Sequence, residues 1–332
     1  MLFNAGFSSD FILAAEHGTT FSNAISMKYN GVNSTITFDD SSSLYYKVNL
    51  KKTGTYTFSI KSDSTSPITS EIYDSDFQKV NSCTATGSIN TTGVSVTDTN
   101  IYEPGVYYIK FTCNTAGTAF KYKNSFKATN TSDGLENNKI EHAKSIGINK
   151  TTKASISMTD KFDYFKIVMP AAGTLKVSFN SYVNDKMTAT LSNGELVHLY
   201  TGIVSYKNTG SSNTEFSYCA EIPKGTYYLY VSADSSNCTG TYNIKVSGDI
   251  PITKISFKKS SVSVKKGKSV QLQVKITPSA ANEEYTFTSM NKKIATVSST
   301  GKVKGVKSGS TKIKVMTKEG ELVAYCKVTV KK

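Results

Sequence analysis

The sequence predicts an all-β protein built as three consecutive β-sandwiches. Three observations predict it. Apolar residues alternate with polar ones at period two, as in Tyr46, Val48, Leu50 and again Tyr56, Phe58, Ile60, which is the signature of half-buried strands. Clusters of Gly, Ser, Thr, Asn and Asp interrupt the runs roughly every 8–12 residues, the spacing of antiparallel sandwiches. Helical periodicity is nearly absent; the best helical stretch, 135–146, reads as a lead-in segment or a single turn.

The chain of 332 residues repeats itself. Residues 45–60 match 164–179 at an offset of 119, with Tyr46 on Phe165, Val48 on Ile167 and Gly54 on Gly173. Residues 104–111 match 224–231 at an offset of 120, with Tyr107 on Tyr227 and Tyr108 on Tyr228. A period this long marks whole domains rather than solenoid turns. Charge marks a third unit. Residues 250–332 carry 18 Lys against 4 Glu and so hold the whole net charge of +14. The expected division is a leader or expression remnant at 1–13, sandwiches at 14–130 and 131–249, and a basic module at 250–332. Residues 1–13 lack a basic n-region and a long apolar stretch, so the secretion signal is expected upstream or replaced.

Within the second unit, Asn137-Asn138, Ala143, Asp160, Asp163-Tyr164-Phe165 and Ala172-Gly173-Thr174 resemble the bacterial pre-peptidase C-terminal module, a jelly-roll-like β-sandwich. The first unit shares the resemblance mainly through the repeat and has Asp40 and Ser43 where the acidic pair is expected. The resemblance implies an accessory part of secreted peptidases, with calcium binding in some members and binding of matrix such as collagen in others. Residues 250–332 resemble a group 2 bacterial immunoglobulin-like domain. Ile294 to Ser298, Gly301, Val303, Gly305-Val306, Gly309 and Pro278 carry that likeness, with Phe287 where the family usually has Trp. Val270, Leu272, Val274 and Ile276 alternate as one strand face, and the glycines at 301, 305 and 309 suit turns with positive φ.

Five cysteines fall 2, 2 and 1 among the units. Even counts are compatible with intramodule bridges Cys83–Cys113 and Cys219–Cys238, each stabilising by about 3–4 kcal/mol, or with reduced semi-buried thiols. Cys326, in phase with Val328 and Val330, reads as a buried free thiol.

Chemistry is sparse. The three histidines, His17, His142 and His198, form no zincin pattern, and neither a nucleophile elbow nor a phosphate loop occurs. No catalytic residue and no enzyme activity are expected. All basic residues are Lys, without Arg, which disfavours specific nucleic-acid recognition. No apolar run is long enough for membrane insertion. The candidate metal site is calcium at Asp133, Glu136, Asn137, Asn138, Asp160 and Asp163, since Ca²⁺ takes about six to eight hard oxygen ligands; the alternative is a solvated acidic turn. No other cofactor is expected. The second candidate is a polyanion face of Lys275, Lys302, Lys304, Lys312, Lys314 and Lys327, all on outward phases, with a plain solubility surface as its alternative. Tyrosine pairs at 45–46, 107–108 and 227–228 invite sugar stacking, or one ring of each simply covers the sheet. The expected role is a non-catalytic extracellular or cell-surface bacterial protein for binding, adhesion or anchoring. Its partners would be a matrix protein, a glycan or an anionic cell-wall polymer. The alternative is the accessory targeting region of a secreted peptidase or glycosidase whose catalytic domain lies outside this chain.

Overall fold

A computed structural model describes residues 18–30, 34–39, 43–62, 64–86, 94–129, 137–204, 216–318 and 320–332. It is all-β. The first sandwich contains β1 (Ile25–Ser26), β2 (Ser34–Thr37), β3 (Ser43–Leu50), β4 (Gly54–Ser62), β5 (Ile68–Tyr73), β6 (Lys79–Ala85), β7 (Val94–Tyr102), β8 (Gly105–Thr112) and β9 (Ala119–Ala128). The second contains β10 (Lys144–Ile146), β11 (Lys150–Ile156), β12 (Phe162–Met169), β13 (Gly173–Val183), β14 (Met187–Asn193), β15 (His198–Val204), β16 (Ser217–Ile222), β17 (Gly225–Ala233) and β18 (Gly240–Asp249). Among the described residues of the lead-in stretch, Ile140–His142 forms a short 3-10 turn.

The two sandwiches have the same strand order. A five-stranded sheet β1-β3-β8-β5-β6 faces a four-stranded sheet β2-β9-β4-β7, and β10-β12-β17-β14-β15 faces β11-β18-β13-β16. Small irregularities recur as well. Asn30 and Asn149 both take φ near 60°, as do Phe77 and Leu196. The latter two sit in matching turns, in which the side chain of Asp74 or Asn193 accepts the same set of backbone N–H bonds. Each sandwich closes over its own core. One centres on Phe58, Phe111 and Phe120, the other on Phe165, Val177 and Ile244. Met158 crosses between them: it belongs to the second sandwich but is buried in the first one's core, and its N–H donates to Ile101 O at 2.8 Å.

The third unit contains β19 (Lys254–Phe257), β20 (Ser261–Lys265), β21 (Ser269–Gln271), β22 (Val274–Thr277), β23 (Tyr285–Ser289), β24 (Ala295–Val297), β25 (Lys302–Gly305), β26 (Gly309–Thr317) and β27 (Val323–Lys331). Its sheets are β20-β27-β26-β23, β21-β25-β24 and the ribbon β19-β22. The run 270–276 is not one strand. It breaks at Leu272 and Gln273, so that β21 pairs with β25 while β22 crosses to β19. Gly301 and Gly309 have positive φ as expected, but Gly305 does not. Its constraint is space, because a Cβ there would lie 3.0 Å from Lys265 O and Val330 Cγ1.

All five cysteines are free. Strand β5 runs between Cys83 on β6 and the end of β8 beside Cys113. Two strand spacings are about 9–10 Å, beyond the reach of a disulfide. Cys219 lies opposite Lys176 on β13, whereas Cys238 precedes Gly240, which lies opposite Val183 at the far end of the same strand. An even count of cysteines within a unit therefore does not mean proximity. Cys326 is buried as expected.

Candidate functional site

In strand β12, Asp163 has the same phase as Phe165, Ile167 and Met169, so the sheet turns its carboxylate into the sandwich. Asp160 enters from the preceding turn, where its N–H donates to Ser157 Oγ at 3.0 Å. Both aspartates are fully buried, which corrects the picture of a solvated acidic turn. Asn137 is brought over them, and its amide donates to Asp163 Oδ1 at 2.9 Å. The Tyr242 hydroxyl donates to Asp163 Oδ2. Tyr242 escaped the sequence reading. The signal was a hydroxyl gained in the repeat, since β-sheet register equates Tyr242 with Phe120.

The Oδ1 atoms of Asn137 and Asn138 are shielded from solvent and have no hydrogen-bond partner among the described residues. A buried acceptor left without a donor costs about 1–3 kcal/mol. The Asn137 and Asn138 amide oxygens and the buried Asp160 carboxylate are hard oxygen donors, suited to Ca²⁺ rather than to zinc. Asp133 and Glu136 lie outside the described residues, and among the described residues no three His, Cys, Asp or Glu side chains cluster as metal ligands. Lys161 lies beside this turn and donates from Nζ to Cys238 O at 2.9 Å. Burial pulls its amine down to about 8 against the opposing pull of Cys238 and Asp160.

The first sandwich does not carry this arrangement. Pairing Tyr46 with Ile109, and Phe165 with Leu229, aligns Asp163 with Leu44 rather than with Ser43. Gly18 stands where Asn137 would be, against β3. Asp40 lies outside the described residues.

The six lysines do not form one face. Lys312 and Lys314 on β26 and Lys327 on β27 share the outer surface of the four-stranded sheet, with Lys312 directly opposite Lys327. Lys302 and Lys304 lie on β25 in the other sheet, and Lys275 lies on the β19-β22 ribbon. Outward phase was right for each residue, but phase alone does not say from which sheet it points. Lys312 Nζ is 5.8 Å from the Tyr325 ring centroid. Among the described residues no carboxylate forms an ion pair with Lys312, Lys314 or Lys327; the module's ion pair is Lys318–Glu284, at the end nearest the second sandwich. His142 and His198 are exposed.

In each tyrosine pair the second member at 45–46 and the first at 107–108 and 227–228 face the core. Tyr45 and Tyr108 in turn are covered by Phe21, at centroid distances of 4.9 and 5.6 Å.

Residues 251–328 match the bacterial Ig-like domain (group 2) family. No curated protein matches the chain. Among solved structures, the pre-peptidase C-terminal domain of a collagenase from Bacillus anthracis is 24% identical, covers 31% of this chain and 93% of its own, and has a TM-score of 0.27. A putative secreted protein from Eubacterium rectale is 13% identical, covers 74% of this chain and 86% of its own, and has a TM-score of 0.26. Domains 1–6 of the surface layer protein SbsC are 12% identical, cover 80% of this chain and 53% of their own, and have a TM-score of 0.24.

Proposed function

We propose that the chain is a non-catalytic extracellular bacterial binding protein whose C-terminal module grips an anionic cell-wall polymer. The observation that carries this reading is the cross-strand pair Lys312–Lys327 with Lys314 beside it. Like charges directly opposite on a sheet destabilise it, and a row of anions laid along that face relieves the repulsion. The match of residues 251–328 to a bacterial Ig-like family supports an extracellular setting, and no helix among the described residues is long and apolar enough to cross a membrane. In the second sandwich, Asn137, Asn138 and Asp160 would hold a Ca²⁺ ion, with Asp163 orienting Asn137, and Asp133 and Glu136 would come from the adjoining segment. The ion would neutralise buried carboxylates and stiffen the turn 157–160. The sequence pattern at Asn137, Asn138, Asp160 and Asp163 also keeps open a second reading, in which these modules target the catalytic domain of a secreted peptidase or glycosidase.

The test is retention of the full chain on immobilised poly(glycerol phosphate). Binding should fall steeply between 0.1 and 1 M salt as the Debye length shrinks from about 10 to about 3 Å. Lys312→Glu with Lys327→Glu should weaken it at least tenfold, and Lys302→Glu with Lys304→Glu far less. Retention that persists in 1 M salt, or equal losses from both pairs, refutes the proposal.

A further inference from the structure

The outer face of the second sandwich's five-stranded sheet differs from its counterpart in a way the lysine face does not explain. One row crosses four strands: Tyr164 on β12, Tyr230 on β17, Thr190 on β14 and Thr201 on β15, each directly opposite the next. The two rings lie 4.8 Å apart at 38°. The two threonine hydroxyls are 3.1 Å apart and hydrogen-bonded to each other. The neighbouring row carries Phe162 at one end and Ile203 at the other, 40% and 41% exposed. These two rows carry no charged side chain, whereas the row on the other side of Tyr164 carries Lys166, opposite Tyr228.

The same row in the first sandwich reads Tyr45, Lys110, Glu71, Ser82. There, Glu71 bridges Lys79 at 3.2 Å and Lys110 at 3.7 Å. Phe21 lies over the rings of Tyr45, Tyr73 and Tyr108, all within 5.6 Å. That face is therefore occupied by its own chain. In the second sandwich the position of Phe21 falls on Ile140, and the ion-paired Lys110 and Glu71 become Tyr230 and Thr190.

We propose that the Tyr164–Tyr230–Thr190–Thr201 row is a binding platform for a neutral, extended polysaccharide. Rings offer an apolar surface for the C–H face of a pyranose, and tyrosine and threonine hydroxyls meet its hydroxyl edge. With no lysine in the row itself and a single Lys166 flanking it, the face gives a polyanion little to hold. Three strand spacings give a sheet-surface platform about 14 Å long. That shape fits a flat β-linked chain rather than a sugar end held in a pocket. The site is independent of the lysine face on another module, so the two readings stand or fall separately.

The experiment is affinity electrophoresis of the full chain in gels containing hydroxyethylcellulose, joined to calorimetry with N-acetylchitohexaose. Retardation or heat is expected with at least one of them, unchanged in 1 M salt. Tyr164→Ala with Tyr230→Ala should weaken it tenfold or more. Thr190→Ala with Thr201→Ala, which keeps both rings, should weaken it several-fold. Tyr230→Phe should retain most binding, which reports a folded sheet with stacking intact, and Lys312→Glu with Lys327→Glu should leave it unchanged. The proposal is overturned by silence with both probes, by binding indifferent to the tyrosine substitutions, or by salt-sensitive binding. It is equally overturned if sedimentation shows that the same tyrosines instead hold a second copy of the chain.

Discussion

The two N-terminal sandwiches share strand order and turn geometry, yet each is polar inside where the other is apolar. Around β12 the second places Asp163 and Tyr242 where the first has Leu44 and Phe120. Around β4 the first places Tyr56, Asp98 and Asn124 where the second has Leu175, Tyr218 and Val246. Core polarity is thus tolerated at different places on one scaffold. In the first sandwich Asn81 and Asn100 donate to the Asp98 carboxylate, whereas both amide atoms of Asn124 are buried without a hydrogen-bond partner among the described residues. A backbone repeat does not predict a repeated site; the site lies in the few side chains that break the repeat.

The largest expected effect comes from removing half of a polar pair. Asp163→Leu alone removes the acceptor of the Tyr242 hydroxyl and the Asn137 amide and should destabilise the second sandwich by about 2–4 kcal/mol. Adding Tyr242→Phe, which completes the first sandwich's version, should recover part of that loss. Thermal unfolding of both variants checks this, and a double variant no more stable than the single would break the equivalence. Next is calcium. An ion at one hundred times its dissociation constant stabilises by about 2.7 kcal/mol. The natural chain should therefore gain in melting temperature with millimolar Ca²⁺, and Asp160→Asn should lose most of that gain. Asn124→Val, the residue of the second sandwich, should stabilise the first by about 1–2 kcal/mol in urea titrations.

The smaller effects are pH effects. Burial holds the phenols of Tyr46, Tyr56, Tyr102 and Tyr107 above their usual range, Tyr107 at about 12. The unfolded phenols ionise near 10, so this stability is present below pH 10 and is lost as pH rises above it. The first sandwich should unfold at lower urea above pH 10, with tyrosinate absorbance as the readout. Lys161 works in the other direction. With its folded value near 8 and its unfolded value near 10.5, the unfolded chain holds more protons between them, so stability rises as pH climbs above 8. From pH 9 the Cys238 thiol, pushed up to about 11 mainly by burial, opposes that gain. The window is pH 8–9, the gain roughly 1 kcal/mol at most, and Lys161→Met should remove it.

Much of this was legible beforehand. Period-two phase placed Tyr46, Val48 and Leu50 inside, and it also placed Asp163 in register with Phe165, so its burial could have been read. Register across strands could not be read. Lys312 and Lys304 share an outward phase but point from opposite sheets, and Cys83 and Cys113 share a module but are separated by β5. Sequence reports which way a residue faces along its own strand. Which strand lies alongside is decided by packing of the whole sandwich.

Met158 has a mechanical consequence. Its side chain is seated in the neighbouring core, and Thr239 Oγ1 donates across the same seam to Asn100 at 3.1 Å. A chain tethered at one end and pulled at the other would transmit force through this plug before either sandwich sheared. The first extension event should be its withdrawal, a short, reversible give that acts as a fuse protecting the folded units behind it.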